Sequence, residues 1–121
     1  MDNYFNLNHL VKQIKQFCED RDWDQFHNAK DLSIGIVTEA SELLEIFRFK
    51  SEEEIENMLK EDIMHAKIGE ELADILFFIL RFAQKYNFDL SSELNRKMEI
   101  NDKRYPISEY KGSNKKYTED K

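Results

Sequence analysis

The chain is poor in the residues that cross-link, bend or interrupt a polypeptide. Its 121 residues include one cysteine, one proline and three glycines. The lone Cys18 excludes an intramolecular disulfide and fits a reducing compartment. It falls on an apolar helical face, where core packing is its expected part. Long apolar runs are missing too. The longest, residues 75–80, is far too short to cross a bilayer. The start, Met1-Asp2-Asn3-Tyr4, lacks the basic and apolar stretches of a signal peptide. The expectation is a cytoplasmic protein with no membrane partner. Positive charge is in deficit: 18 Lys and Arg against 25 Asp and Glu leave a net charge of −7. That makes the chain a poor candidate for non-specific binding to DNA or RNA. It also means that an anionic substrate would need a cation to bridge it to the protein.

What is present points to helices. Gly and Pro, which break helices, are scarce, while Glu, Lys, Leu and Ile are common. Aromatic residues make up 12% of the chain, enough apolar mass to argue against disorder. The length suits one compact domain. No repeat, low-complexity segment or linker divides it, so the expectation is a single domain over 1–121 with a polar tail from about 108.

Periodicity predicts four main helices. Leu7, Leu10, Val11, Ile14, Phe17 and Cys18 recur at helical spacing over residues 7–20. The polar stretch Arg21-Asp22-Trp23-Asp24-Gln25-Phe26-His27-Asn28 then reads as a loop. A second helix is predicted after Asp31 as N-cap, with a core stripe of Leu32, Ile36, Val37, Ala40, Leu43, Leu44 and Phe47, ending near Phe49 and Lys50. Ser51 followed by Glu54 is a capping-box pattern and predicts a short helix. The third main helix is predicted over 66–86. From 75 to 82 it is apolar on nearly every side except at Arg81, so it must be surrounded, and a chain this short favours an oligomer for that purpose. A fourth helix is predicted after Asp89 to about Arg104, with Pro106 as its stop.

The informative side chains are acidic. Glu39 and Glu42 are three apart on the second helix, and Glu71 and Asp74 are three apart on the third. Each pair therefore shares one helix face at the edge of the apolar stripe. Glu45 lies further out. If the two helices pack together, four carboxylates converge, and their repulsion is relieved by a divalent cation or by protons. Hard oxygen ligands suit Mg²⁺, or Mn²⁺ as its alternative. Spacing alone leaves a second reading open, in which the acids are solvated surface. A di-iron carboxylate site would need two acid-x-x-His pairs, and only Asp62-x-x-His65 approaches that pattern.

The Glu39-x-x-Glu42 and Glu71-x-x-Asp74 pairs resemble the acidic motifs of the all-α nucleoside triphosphate pyrophosphatases, the MazG-like superfamily. The stretch from Arg21 to His27 resembles the Asp-Trp-x-Gln-Phe-His segment of its dCTP pyrophosphatase branch. Lys97-Met98-Glu99-Ile100-Asn101-Asp102-Lys103-Arg104-Tyr105-Pro106 is similar to that branch's C-terminal motif, and Lys116-Tyr117-Thr118-Glu119 to its tail. The resemblance implies an all-α helical bundle completed by oligomerisation, as a homodimer or a tetramer made from dimers. It implies Mg²⁺-dependent hydrolysis of a nucleoside triphosphate to the monophosphate and pyrophosphate.

By the same resemblance, Glu39, Glu42, Glu71 and Asp74 are the expected metal ligands, and Glu45 is the spare acid that could orient the attacking water. Lys97, Asn101 and Arg104 share a helical face and become triphosphate contacts, with an ion pair to a nearby acid as the other reading of Arg104. Trp23 and His27 become the wall of a base pocket. The branch carries a second tryptophan where this chain has Phe49, and a tyrosine where it has Phe78. Both positions keep an aromatic face, so dCTP or a modified dCTP remains the expected substrate. The same fold acting on dUTP, or serving as a non-catalytic oligomerisation module, is the alternative.

Overall fold

A computed structural model describes residues 6–118; the readings at Met1-Asp2-Asn3-Tyr4 and Glu119 lie outside them. Every element among the described residues is helical: α1 (Leu7–Asp20), α2 (Ala29–Phe47), α3 (Glu52–Lys60), α4 (Asp62–Tyr86), α5 (Leu90–Arg104) and the short α6 (Ile107–Tyr110). They fall into two compact units, the first running to Asn87 and the second beginning at Phe88.

The first unit is built around α4. Helix α2 packs along it, and α1 and α3 also lie against it. The buried apolar residues are Cys18, Leu32, Ile68, Leu80 and Ala83. Cys18 is thus core, as its place on the apolar face of α1 predicts.

Two helices start earlier than their apolar pattern. Helix α2 is capped by Asn28, whose Oδ1 accepts from the Asp31 backbone N–H while its Nδ2 donates to the Asp31 carboxylate, each at 2.8 Å. Asp31 is therefore in the first turn, answering the cap rather than forming it. Helix α4 begins at Asp62. Its first turn mixes an exposed Ile63 with a half-buried Met64, four residues before the buried Ile68. Helix α2 also ends sooner than predicted, at Phe47, since Phe49 takes a left-handed conformation with φ 65°. The Ser51–Glu54 capping box forms as read.

The core stripe of α2 is rotated from the predicted one. Buried or half-buried positions are Leu32, Gly35, Ile36, Glu39, Leu43, Ile46 and Phe47. Val37 and Leu44 are 65% and 62% exposed, and Ala40 also faces outward. Glu39 thus lies within the packed face, between Ile36 and Leu43. At Gly35 the missing side chain matters: a Cβ there would stand 2.7 Å from the Phe78 ring of α4.

The second unit holds α5, capped by Asp89 through the Ser92 backbone N–H at 3.3 Å and ending at Arg104 as predicted. Past α5 the chain forms one more short helix and an aromatic cluster. Pro106 starts α6, and Tyr105 meets Tyr110 and Tyr117 edge to face at 4.9 and 5.9 Å.

Candidate metal centre and its surroundings

Packing α2 against α4 brings three acids together. One carboxylate oxygen from each of Glu39, Glu42 and Glu71 lies within 4.8 Å of the other two. Glu39 and Glu71 are half-buried and Glu42 is exposed. Oε2 of Glu39 and Oε2 of Glu71 are buried with no hydrogen-bond partner. Buried polar atoms are nearly always satisfied, and a cation between these acids would supply the partner that the two orphaned carboxylate oxygens lack.

The electrostatics agree. A hydrogen bond shared with Glu42 pushes the Glu39 carboxyl up to about 7, helped by burial and by the charges of Glu42, Asp74 and Glu71. Burial raises the Glu71 carboxyl above its ordinary range, with the Glu42 charge adding to it and Lys67 opposing. Both carboxyls thus resist ionisation more than an ordinary glutamate does, and a divalent cation would relieve the same repulsion. The donor set is entirely carboxylate oxygen, which fits Mg²⁺ or Mn²⁺ and leaves nothing to favour zinc or copper.

Asp74, one turn beyond Glu71, is exposed and outside the three-oxygen group, although its charge acts on both raised carboxyls. Glu45 lines a cleft of about 270 Å³ with Glu42, Ile46, Lys67 and Glu71. Its Oε1 accepts from Arg48 at 3.1 Å.

The loop between α1 and α2 holds Trp23 and His27. It is tied to α1 by the Trp23 N–H, which donates to the Cys18 carbonyl at 3.0 Å. The Trp23 ring lies 5.5 Å from Phe17 and 6.0 Å from His27. The partner that sequence reasoning missed is Arg81, which is 1% exposed. Its Nε donates to His27 Nδ1 at 2.9 Å, its Nη1 to Gln84 Oε1 at 2.5 Å, and its Nη2 to the Asp24 carboxylate. Lys85 donates to the Asp24 carbonyl at 2.5 Å. A lone arginine inside an apolar run was the available signal, since a buried guanidinium must find acceptors.

Phe78 is half-buried between Phe77 and Gly35, one helical turn from Asp74. Phe49 is 88% exposed, with the Arg48 guanidinium 4.6 Å from its ring centre. Lys97, Asn101 and Arg104 lie on α5 in the second unit; Lys97 and Arg104 are exposed and Asn101 is half-buried. Arg104 stands 4.6 Å over the Tyr117 ring, and no acid partners it among the described residues.

Comparison with known proteins adds three findings. The model of the MazG-like family matches residues 34–119, which contain all five acids but neither Trp23 nor His27. The curated proteins dCTP pyrophosphatase 1 of Homo sapiens and of Rattus norvegicus are each 36% identical over 104 residues, covering 86% of this chain and 61% of theirs. The chain thus spans about three fifths of the length of the curated relatives it matches. The crystal structure of a pyrophosphatase from Archaeoglobus fulgidus superposes with a TM-score of 0.78 at 29% identity, over 88% of this chain and 97% of that one.

Proposed function

The chain belongs to the MazG-like family, and on that premise we propose that it hydrolyses a nucleoside triphosphate to the monophosphate and pyrophosphate. The observation that carries this reading is the pair of buried, unpartnered carboxylate oxygens on Glu39 and Glu71, set in one group with Glu42. In the proposed enzyme these three hold Mg²⁺, or Mn²⁺, with Asp74 as the fourth acid. When bound, the cation offsets the negative charge of the acids and of the triphosphate during phosphoryl transfer. Glu45 would orient the attacking water from the cleft wall. Lys97, Asn101 and Arg104 would contact the triphosphate, and Trp23, Phe49 and Phe78 offer faces to the base, with His27 as a polar contact.

The favoured substrate is dCTP or a modified dCTP, in keeping with the names of the relatives. The reaction would clear surplus or damaged nucleotides in the cytoplasm. Phe49 and Phe78 supply ring faces without a polar handle, which do not discriminate cytosine from uracil, so dUTP is the second candidate substrate. The outward-facing Ile34, Val37 and Leu44 of α2 support assembly as a homodimer or a dimer of dimers.

A hydrolysis panel tests the proposal. The protein is incubated with Mg²⁺ and each dNTP and NTP, plus 5-methyl-dCTP, and products are resolved by chromatography. Monophosphate and pyrophosphate are expected from dCTP-type substrates, with kcat/KM lowered roughly 100-fold or more by Glu42→Gln. Preference for another base would overturn the pocket and keep the chemistry. If no nucleotide is cleaved with any divalent metal, the chain is a non-catalytic helical module.

A further inference from the structure

The geometry points to Arg81 as a positioning residue that holds His27 in one tautomer, with its proton on Nε2. The loop then presents a neutral hydrogen-bond donor to an acceptor oxygen of the nucleotide. This deepens the proposed function and rests on it, since it takes the Trp23–His27 loop as a wall of the nucleotide site.

Arginine has donors and no acceptor. The nitrogen that faces its Nε–H must therefore be the bare one, and that nitrogen is His27 Nδ1, at 2.9 Å. The tautomer of an imidazole is set by the bond its other nitrogen makes, so the proton goes to Nε2. The clamp is rigid because Arg81 is buried and its guanidinium is engaged on every edge, by His27, Gln84 and Asp24.

Three charged groups face the ring: Arg81 and Lys85 from α4, and Asp24 from its own loop. Burial, followed by the two cations, outweighs the single acid and holds the imidazole below its ordinary range. A second proton on the ring is thus disfavoured. Among the described residues nothing accepts from Nε2, which is left for a ligand. Anchoring the loop does not require this bond. The Trp23 N–H to the Cys18 carbonyl, and Lys85 to the Asp24 carbonyl, already tie it down. The bond to His27 acts on the ring's proton.

The test is nitrogen NMR of the full chain labelled at histidine, beside steady-state hydrolysis of dCTP with Mg²⁺. In the wild type near about pH 8, where the ring is neutral, Nδ1 of His27 is expected to resonate as a bare nitrogen and Nε2 as a protonated one. Arg81→Met keeps the length of the side chain without a donor. It should mix the two tautomers, raise the pH at which the ring titrates, and raise KM about tenfold with a much smaller change in kcat. Arg81→Lys, which keeps a cationic donor, should recover part of the loss. His27→Ala combined with Arg81→Met should raise KM no further than His27→Ala alone.

The inference is overturned by a proton on Nδ1 in the wild type, by an unchanged tautomer in Arg81→Met, or by effects on KM that multiply. The wild-type spectrum decides the tautomer even if Arg81→Met does not fold. If the wild type cleaves no nucleotide, the proposed function fails by itself, while the spectra still decide the clamp.

Discussion

Glu39 concentrates the conflict of the acid cluster in one side chain. It lies in the packed face of α2, next to two other acids, and its carboxyl is raised to about 7. An unfolded glutamate titrates near about 4.3. The folded state therefore holds the proton more tightly than the unfolded one. The resulting stability is fully present below the unfolded value and is lost as pH rises through about 7. In metal-free protein, Glu39→Gln should match the wild type in melting temperature near pH 4 and exceed it by roughly 3 °C at pH 8. Calorimetry in the presence of a chelator at the two pH values checks this. A wild type that is the more stable at pH 8 would show that the cluster is relaxed without a cation. With Mg²⁺ added, the advantage of the variant should vanish, because a glutamine is a poorer ligand than a glutamate.

At the scale of elements, two glycines inside helices should respond to alanine with opposite signs. Gly69 on α4 has nothing near the position of a Cβ, so Gly69→Ala should stabilise by about 0.5–1 kcal/mol through helix propensity. Gly35→Ala would push against the Phe78 ring, and overpacking outweighs propensity there, for a net loss of about 1 kcal/mol. Phe78→Leu in the same chain should restore most of it; chemical denaturation measures all three variants. The boundary between what the sequence discloses and what it withholds runs through these same elements. Helix faces, the Ser51 capping box and the three-residue spacing of the acids are local patterns, so α1, α5 and the two acid pairs were legible, whereas the meeting of Glu39 and Glu42 with Glu71 depends on α2 packing against α4. The start of α2 was ambiguous because Asn28 and Asp31 are both capping residues, and only the bonds between them settle which one caps. The rotated stripe of α2 was hidden for another reason: Val37 and Leu44 are apolar yet face outward. Arg81 stood out within its apolar run, but its partners were illegible because His27 and Asp24 lie 54 and 57 residues away in the chain.

At the scale of the whole molecule, the buried apolar set among the described residues is small, and binding has much to add. A cation that binds only the folded chain, present at about a hundred times its Kd, contributes about 2.7 kcal/mol, or on the order of 10 °C in melting temperature. A thermal-shift titration with Mg²⁺ should show this, and Glu71→Gln should blunt it. A flat titration would leave the orphaned oxygens as strain with no cation to relieve it. The proposed self-association would be the other contribution. Val37→Glu places a charge on the exposed apolar strip of α2. It should shift sedimentation toward the monomer and leave the helical circular dichroism intact. An unchanged sedimentation coefficient would remove this strip as a self-contact.

Trp23 is the sole tryptophan of the chain, and it stands 6.0 Å from His27. All indole emission therefore originates from one loop. A protonated imidazole quenches indole light, so brightness against pH becomes an optical record of the His27 ring. A base stacked on the indole would dim the same signal. The loop thus reports on itself, without any attached dye, in a stopped-flow cuvette on the timescale of a single turnover.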